Sequence, residues 1–145
     1  MTNGTLVEVD SLVANEYAVE LDGEVLTGIF RVSGLTPFKL SPTNESIKEP
    51  IILSKMVQRD GNNTFNKWLR ETIAARHSIE RPTRTIAVVA IDDGVETRRW
   101  TLNGAYIVEV SYSDFDSASS EMVEEIVTIQ YADIDESWSA TPNLE

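Results

Sequence analysis

NTFNKWLRETIAARH, Asn63 to His77, is the stretch with a helical period. Phe65, Trp68, Leu69 and Ile73 recur at i, i+3, i+4 and i+8 and make one apolar stripe. Asn66, Lys67, Arg70 and Glu71 form the polar face. Asn63 or Thr64 can cap the start, because either side chain accepts a bond from an amide two or three residues on. Arg76 and His77 are expected in the last turn, where positive charge offsets the helix dipole. The remaining patterned segments have a period of two. The chain therefore reads as mainly β (α+β), a two-layer β sandwich or barrel of about seven strands flanked by one α-helix.

Working outward, Glu16 to Asp22 alternates cleanly, and Asp22-Gly23 has the chemistry of a tight turn. A returning strand runs from Glu24 to about Ser33, with Gly28 marking a bulge. Leu35 to Glu49 is proline-rich and polar and reads as a long loop. Ile51 to Val57 is a strand, and Arg59 to Asn62 is a turn into the helix. Thr85 to Asp92, TIAVVAID, is apolar on both faces, as a central strand requires. Asp93-Gly94 and Asn103-Gly104 read as two further hairpin turns, giving a three-strand meander. In its last strand Tyr106, Val108, Val110 and Tyr112 share one face. Ser113 to Ser120 is a loop, and Met122 to Tyr131 is the last strand. One domain covers residues 1–145. Residues 1–14 are an N-terminal arm or edge strand, because Leu6, Val7 and Val9 alternate only weakly. The chain from Ala132 is expected to be loosely held, with residues 136–145 as an acidic tail.

At 145 residues the chain is long enough for a true core. The N-terminus, MTNGTLVEVD, has neither a basic n-region nor an apolar h-region, so no secretory signal is expected. No apolar run approaches the roughly 20 residues that span a bilayer. There is no cysteine, which excludes disulfides, thiolate catalysis and Cys-ligated zinc and fits a reducing cytosol.

The net charge of −12 is unevenly spread. Residues 1–47 have net −5, residues 48–84 have eight bases against four acids, net +4, and residues 85–145 have net −11. Solubility and intrachain pairs account for this readily. The alternative is a self-complementary surface, for which the candidate residues are Lys48, Lys55, Arg59, Lys67, Arg70, Asp114, Asp116 and Glu124. Nucleic-acid binding is disfavoured, since the molecule as a whole repels phosphate.

Catalytic patterns find little support. His77 is the single histidine and already has a structural place at the helix end. No Ser-His-acid arrangement or G-x-S-x-G elbow can be argued. Glu124 and Glu125 are neighbours in a strand and point to opposite faces. Asp92 and Asp93 are explained as turn residues. Asp114, Asp116 and Glu125 match positions 1, 3 and 12 of an EF-hand, but Ser119 stands where glycine is obligatory. No cofactor or metal is expected. Trp68, Trp100 and Trp138 are the residues available for a sugar-stacking platform, although core packing explains the first two.

In order and spacing the sequence resembles the inner tube proteins of contractile bacteriophage tails and related extracellular contractile injection systems. The resemblance rests on NEYAVELDGEVLTGIFRVSGL (Asn15 to Leu35) and on IILSKMVQRDG leading into NTFNKWLRE (Ile51 to Glu71). It extends through RTIAVVAIDDGVETRRWTLNGAYIVEVSYSDFDSASSEMVEEIVTIQYADID (Arg84 to Asp135). Two departures stand out: a short Leu35 to Pro50 loop without the Gly-rich basic lead-in, and an acidic tail with no counterpart.

The resemblance implies a non-catalytic structural subunit whose six-fold rings stack into a hollow tube. Its implied partners are other copies of itself, a sheath protein, and baseplate and terminator proteins. Cargo or DNA would pass through the lumen without specific binding, and no membrane is involved. Assembly in the cytoplasm, then residence in a virion tail or extracellular particle, is implied as well. The alternatives are a tube-initiating or tube-terminating paralogue and a non-catalytic carbohydrate-binding β domain.

Overall fold

The computed structural model describes residues 11–139, so residues 1–10 of the expected arm and residues 140–145 of the expected tail lie outside it. The elements are β1 Tyr17–Leu21, β2 Glu24–Val25, β3 Ile29–Ser33, β4 Ile51–Met56, α1 Thr64–Ala74, β5 Arg84–Asp92, β6 Val95–Tyr112, β7 Glu124–Gln130 and β8 Asp133–Trp138. The strands form one open antiparallel sheet in the order β2-β1-β5-β6-β7-β4-β3, with β8 also paired to β6. The mainly-β reading holds, as an open sandwich rather than a closed barrel.

β6 is the spine. Its N-terminal half pairs with β5 on one side and β8 on the other. Its C-terminal half pairs with β7. The sheet thus has two leaves, β2-β1-β5-β6-β8 and β6-β7-β4-β3. Val19, Leu21, Ile86 and Leu102 of the first meet Ile51, Leu53, Val127 and Ile129 of the second in one core, to which α1 adds Phe65, Trp68 and Leu69.

The expected hairpin turn at Asn103-Gly104 is not there, because β6 runs straight through it. Asn103 and Gly104 together oppose Thr85, which makes a bulge. Gly104 has φ 63°, so its left-handed backbone serves the bulge instead of a turn. Neighbours on β8 hold the pair in the sheet. The Asn103 amide donates to Asp133 at 2.7 Å and Asp135 at 2.9 Å, and Ala132 N–H donates to the Asn103 carbonyl.

A second bulge, at Val108, breaks the expected alternation of Tyr106 through Tyr112. Before it the core side holds Ala105 and Ile107; after it, Val110 packs against the core. Val108 and Tyr112 are exposed. The expected strand over Glu24 to Ser33 is divided at Gly28, φ 83°. Only Glu24 and Val25 pair with β1; β3 crosses to β4 in the other leaf.

Helix α1 starts where expected, with the Asn63 side chain accepting from Asn66 N–H at 2.8 Å. It ends at Ala74, so Arg76 and His77 lie beyond its last turn. Asn66, expected on the polar face, is buried and donates to the Gln58 and Asp60 carbonyls. Ile73, expected in the apolar stripe, is 51% exposed. The chain after Ala132, expected to be loosely held, forms β8 and pairs with β6 from Arg98↔Trp138 to Asn103↔Asp133.

Candidate assembly surface

The open sheet leaves hydrogen-bonding edges. Pairing of β6 with β5 stops at Ala105 and with β8 at Asn103. Among the described residues, Tyr106 to Tyr112 therefore has β7 on one side and no strand on the other. Among the described residues β3 is the opposite edge of the same leaf, paired with β4 alone. Unpaired edges are templates for another chain.

Beside the free half of β6 lies a groove of about 480 Å³, walled by Leu69 and Ile73 of α1, Arg81 and Pro82 of the connector, and Tyr106 and Val108. The Arg81 guanidinium lies 5.1 Å from the Tyr106 ring centroid. Large apolar side chains are exposed nearby in sequence and on the loops: Ile79, Phe115 and Met122, with Phe38 and Leu40 on the loop before β4. Single exposed apolar residues are ordinary, so the groove and the free strand edge, not these loop side chains, carry the case for a contact surface.

The groove ends at a buried polar row. Lys55 Nζ donates to Glu125 Oε1 at 2.7 Å and to the Met56 carbonyl at 3.0 Å, and it sits 4.6 Å from the Phe65 ring centroid. Tyr112 donates to the other Glu125 oxygen at 2.8 Å. Burial, then the hydrogen bond to Glu125, pushes the Tyr112 hydroxyl up to about 12. Lys55 pairs with Glu125 and Glu125 with Tyr112 in register, so this row ties β4, β7 and β6 together.

These contacts correct one expectation. Lys55 is 0% exposed, so it is not part of any surface of the folded chain. The other candidate residues are at least partly accessible. Lys48 precedes β4 and Arg59 follows it, so the two sit at opposite ends of that strand. Glu124 pairs with Met56, and Ser113 bonds to Glu124, so the acidic loop with Asp114 and Asp116 leaves the sheet at the end where Arg59 emerges. Arg70 is already engaged, donating to the Gly61 carbonyl and the Asn62 side chain. Lys67 is on the exposed side of α1.

A charged network on the other leaf went unread in the sequence. Arg99 forks between Glu20 at 2.7 Å and Glu96 at 2.9 Å. The bond from Arg99 holds the Glu96 carboxyl below its ordinary range. Bonds to Glu96 and Glu20 raise the Arg99 guanidinium further. Both faces of β5 are buried, and this network lies across the second of them.

The tryptophans do not make a shared platform. Trp68 is in the core and donates to the Pro82 carbonyl. The Arg98 guanidinium lies 3.7 Å from the Trp138 ring centroid and 5.4 Å from that of Trp100, taking a face of each. The groove is lined by one carboxylate, Glu109, whereas glycoside hydrolysis uses a converging pair.

An open, helix-flanked β sandwich with two edges left free on one leaf, among the described residues, can be extended by a neighbouring chain. The chain belongs to the T4-like virus tail tube protein gp19 family, whose model matches residues 37–135. It is a structural tail tube protein of that family. Solved structures share the fold. The tube-terminating cap of the anti-feeding prophage has TM-score 0.73 at 17% identity over 94% of this chain and 97% of that one. A chain of the PVC extracellular contractile injection system sheath-tube complex has TM-score 0.68 at 16% identity over 89% and 93%. Hcp1 from Flavobacterium johnsoniae has TM-score 0.55 at 13% identity over 88% and 99%. No curated protein matches at the level of sequence.

Proposed function

We propose that this chain is a body subunit of the tube, forming six-fold rings that stack head to tail around a hollow axis. The observation that carries the proposal is the half-paired spine: seven residues of β6, Tyr106 to Tyr112, end one leaf with an open edge, and β3 ends it on the other side. An edge of one kind meeting an edge of another is a heterologous contact, which closes into a ring when the rotation allows. Sheath, baseplate and terminator proteins are the partners, with cytoplasmic assembly before incorporation into the particle. The net charge of −12 suits a lumen through which cargo or DNA passes without being held. No catalytic step is assigned to the subunit.

Negative-stain electron microscopy and sedimentation velocity test this. The chain is expected to form rings and filaments as concentration rises. Val108→Lys puts a charge on the free half of β6 and is expected to abolish rings while leaving far-UV circular dichroism intact. A chain that stays monomeric at every concentration refutes the reading. The terminator reading, favoured by the similarity to the anti-feeding prophage cap, predicts single rings that never stack.

A further inference from the structure

On the second leaf, the face turned away from the core carries two adjacent cross-strand rows. One runs Ser33, Ile52, Thr128, Glu109, and the next runs Arg31, Ser54, Ile126, Ser111. Each row holds one charge, and each charge is on an edge. Arg31 is the middle residue of β3, and Glu109 is the middle residue of the free half of β6, Tyr106 to Tyr112. Both are exposed, and neither makes an ion pair among the described residues. The Arg31 guanidinium rests 5.6 Å from the ring centroid of its neighbour Phe30.

We propose that Arg31 of one copy meets Glu109 of the next, and that this pair fixes the register in which β3 joins the free half of β6. The inference rests on the ring reading above and adds its register. Strand direction fits. β6, β7, β4 and β3 alternate, so β3 runs against β6. A rotation about the ring axis leaves the next copy's β6 running as this one's does, so the new contact is antiparallel like the others in the leaf. Facing fits as well, because paired residues share a face of the sheet and these two are on the same one. A slip of one residue would turn Arg31 toward the core side, so the neighbouring register allowed is two residues away. Centred on each other, the strands put Arg31 directly opposite Glu109; two residues along, the pair is diagonal and still within reach of two long side chains. Other edges suit Glu109 less. β2 offers two residues, and β8 would bring up Asp133, Asp135 and Glu136. Backbone bonds and apolar contacts hold such strands together, while the charge pair selects the partner and its register.

The chain has no cysteine, so single cysteines report on the contact cleanly. Arg31→Cys and Glu109→Cys chains, mixed under ring-forming conditions and treated with a short bismaleimide, should give a cross-linked dimer on a denaturing gel, and neither chain alone should. Charge exchange is the second arm, read by sedimentation velocity. Arg31→Glu places like charges opposite each other once per subunit and should raise the concentration at which rings form about fivefold. Glu109→Arg should do the same, and the two together should restore most of the loss. Rings that form in the unaltered chain while the mixed cysteines fail to cross-link, or while the double exchange is as weak as the sum of the single ones, overturn this register and leave the tube reading standing. A chain that forms no rings at all overturns both.

Discussion

Lys55→Met is the most informative single change. The ammonium and its partner carboxylate are both in the core, with side-chain exposures of 1% for Lys55 and 3% for Glu125. Methionine fills nearly the same volume, so packing against Phe65 survives. What is lost is charge: Glu125 keeps the Tyr112 hydroxyl but loses Lys55, its cationic partner among the described residues. Leaving one member of a buried pair unmatched costs about 3–5 kcal/mol. Each kcal/mol lowers the melting temperature by about 3 °C in a chain of this length, so a fall of about 10–15 °C is expected.

Removing both charges, in Lys55→Met with Glu125→Leu, should behave differently. Neither desolvated charge then remains, and Tyr112, about half exposed as a residue, can turn its hydroxyl toward water. Replacing both partners of such a pair is about neutral, or stabilising by about 1–4 kcal/mol. Urea unfolding of the monomer, followed by the fluorescence of buried Trp68, measures the two single variants and the double one. A single variant that costs under about 1 kcal/mol, or a double variant that costs the sum of the two, refutes the reasoning.

Other consequences are more local. Tyr112 ionises near 12 in the folded chain and near 10 when unfolded, so the stability it contributes is present below pH 10 and is lost between pH 10 and 12. Tyr112→Phe should flatten that alkaline limb in a pH series of urea midpoints. Gly34→Ala forces a side chain into φ 81°, with its Cβ 2.9 Å from the Pro50 carbonyl oxygen, and should cost at least about 1–3 kcal/mol in the same assay. Asn63→Ala removes the helix cap and should cost about 1 kcal/mol, whereas Asn63→Asp should cost much less.

The strands and the helix were legible because period and punctuation agreed. Asp22-Gly23 and Asp93-Gly94 are turns, with left-handed residues at both positions of each. Asn103-Gly104 carries the same local signal and forms a bulge instead. A bulge and a hairpin both want a residue at positive φ, and the difference lies in what holds the flanks. Here Asp133 and Asp135 do so from 30 residues away. No local pattern encodes that. The exposure of Ile73 has a similar cause, since α1 packs its first two turns on the core and its last turn borders the groove.

The buried pair, by contrast, was written in the alternation. Ile51, Leu53 and Lys55 share one strand face; Glu125, Val127 and Ile129 share another. A lysine continuing one core face and a glutamate continuing a second are opposite charges in search of each other. Reading Lys55 only as part of a basic stretch hid this. The distinction bears on assembly. With Lys55 committed inside, and with Arg59 and the acidic loop at one end of the sheet, long-range charge is a poor candidate for what orders the subunits. Directional contact falls instead to backbone edges and exposed apolar side chains, which act over contact distance and are little affected by salt. Assembly of the rings should therefore depend on the free half of β6 far more than on ionic strength. A salt series run beside Val108→Lys separates the two: rings that dissolve in salt yet tolerate the new lysine would assign the order to charge after all.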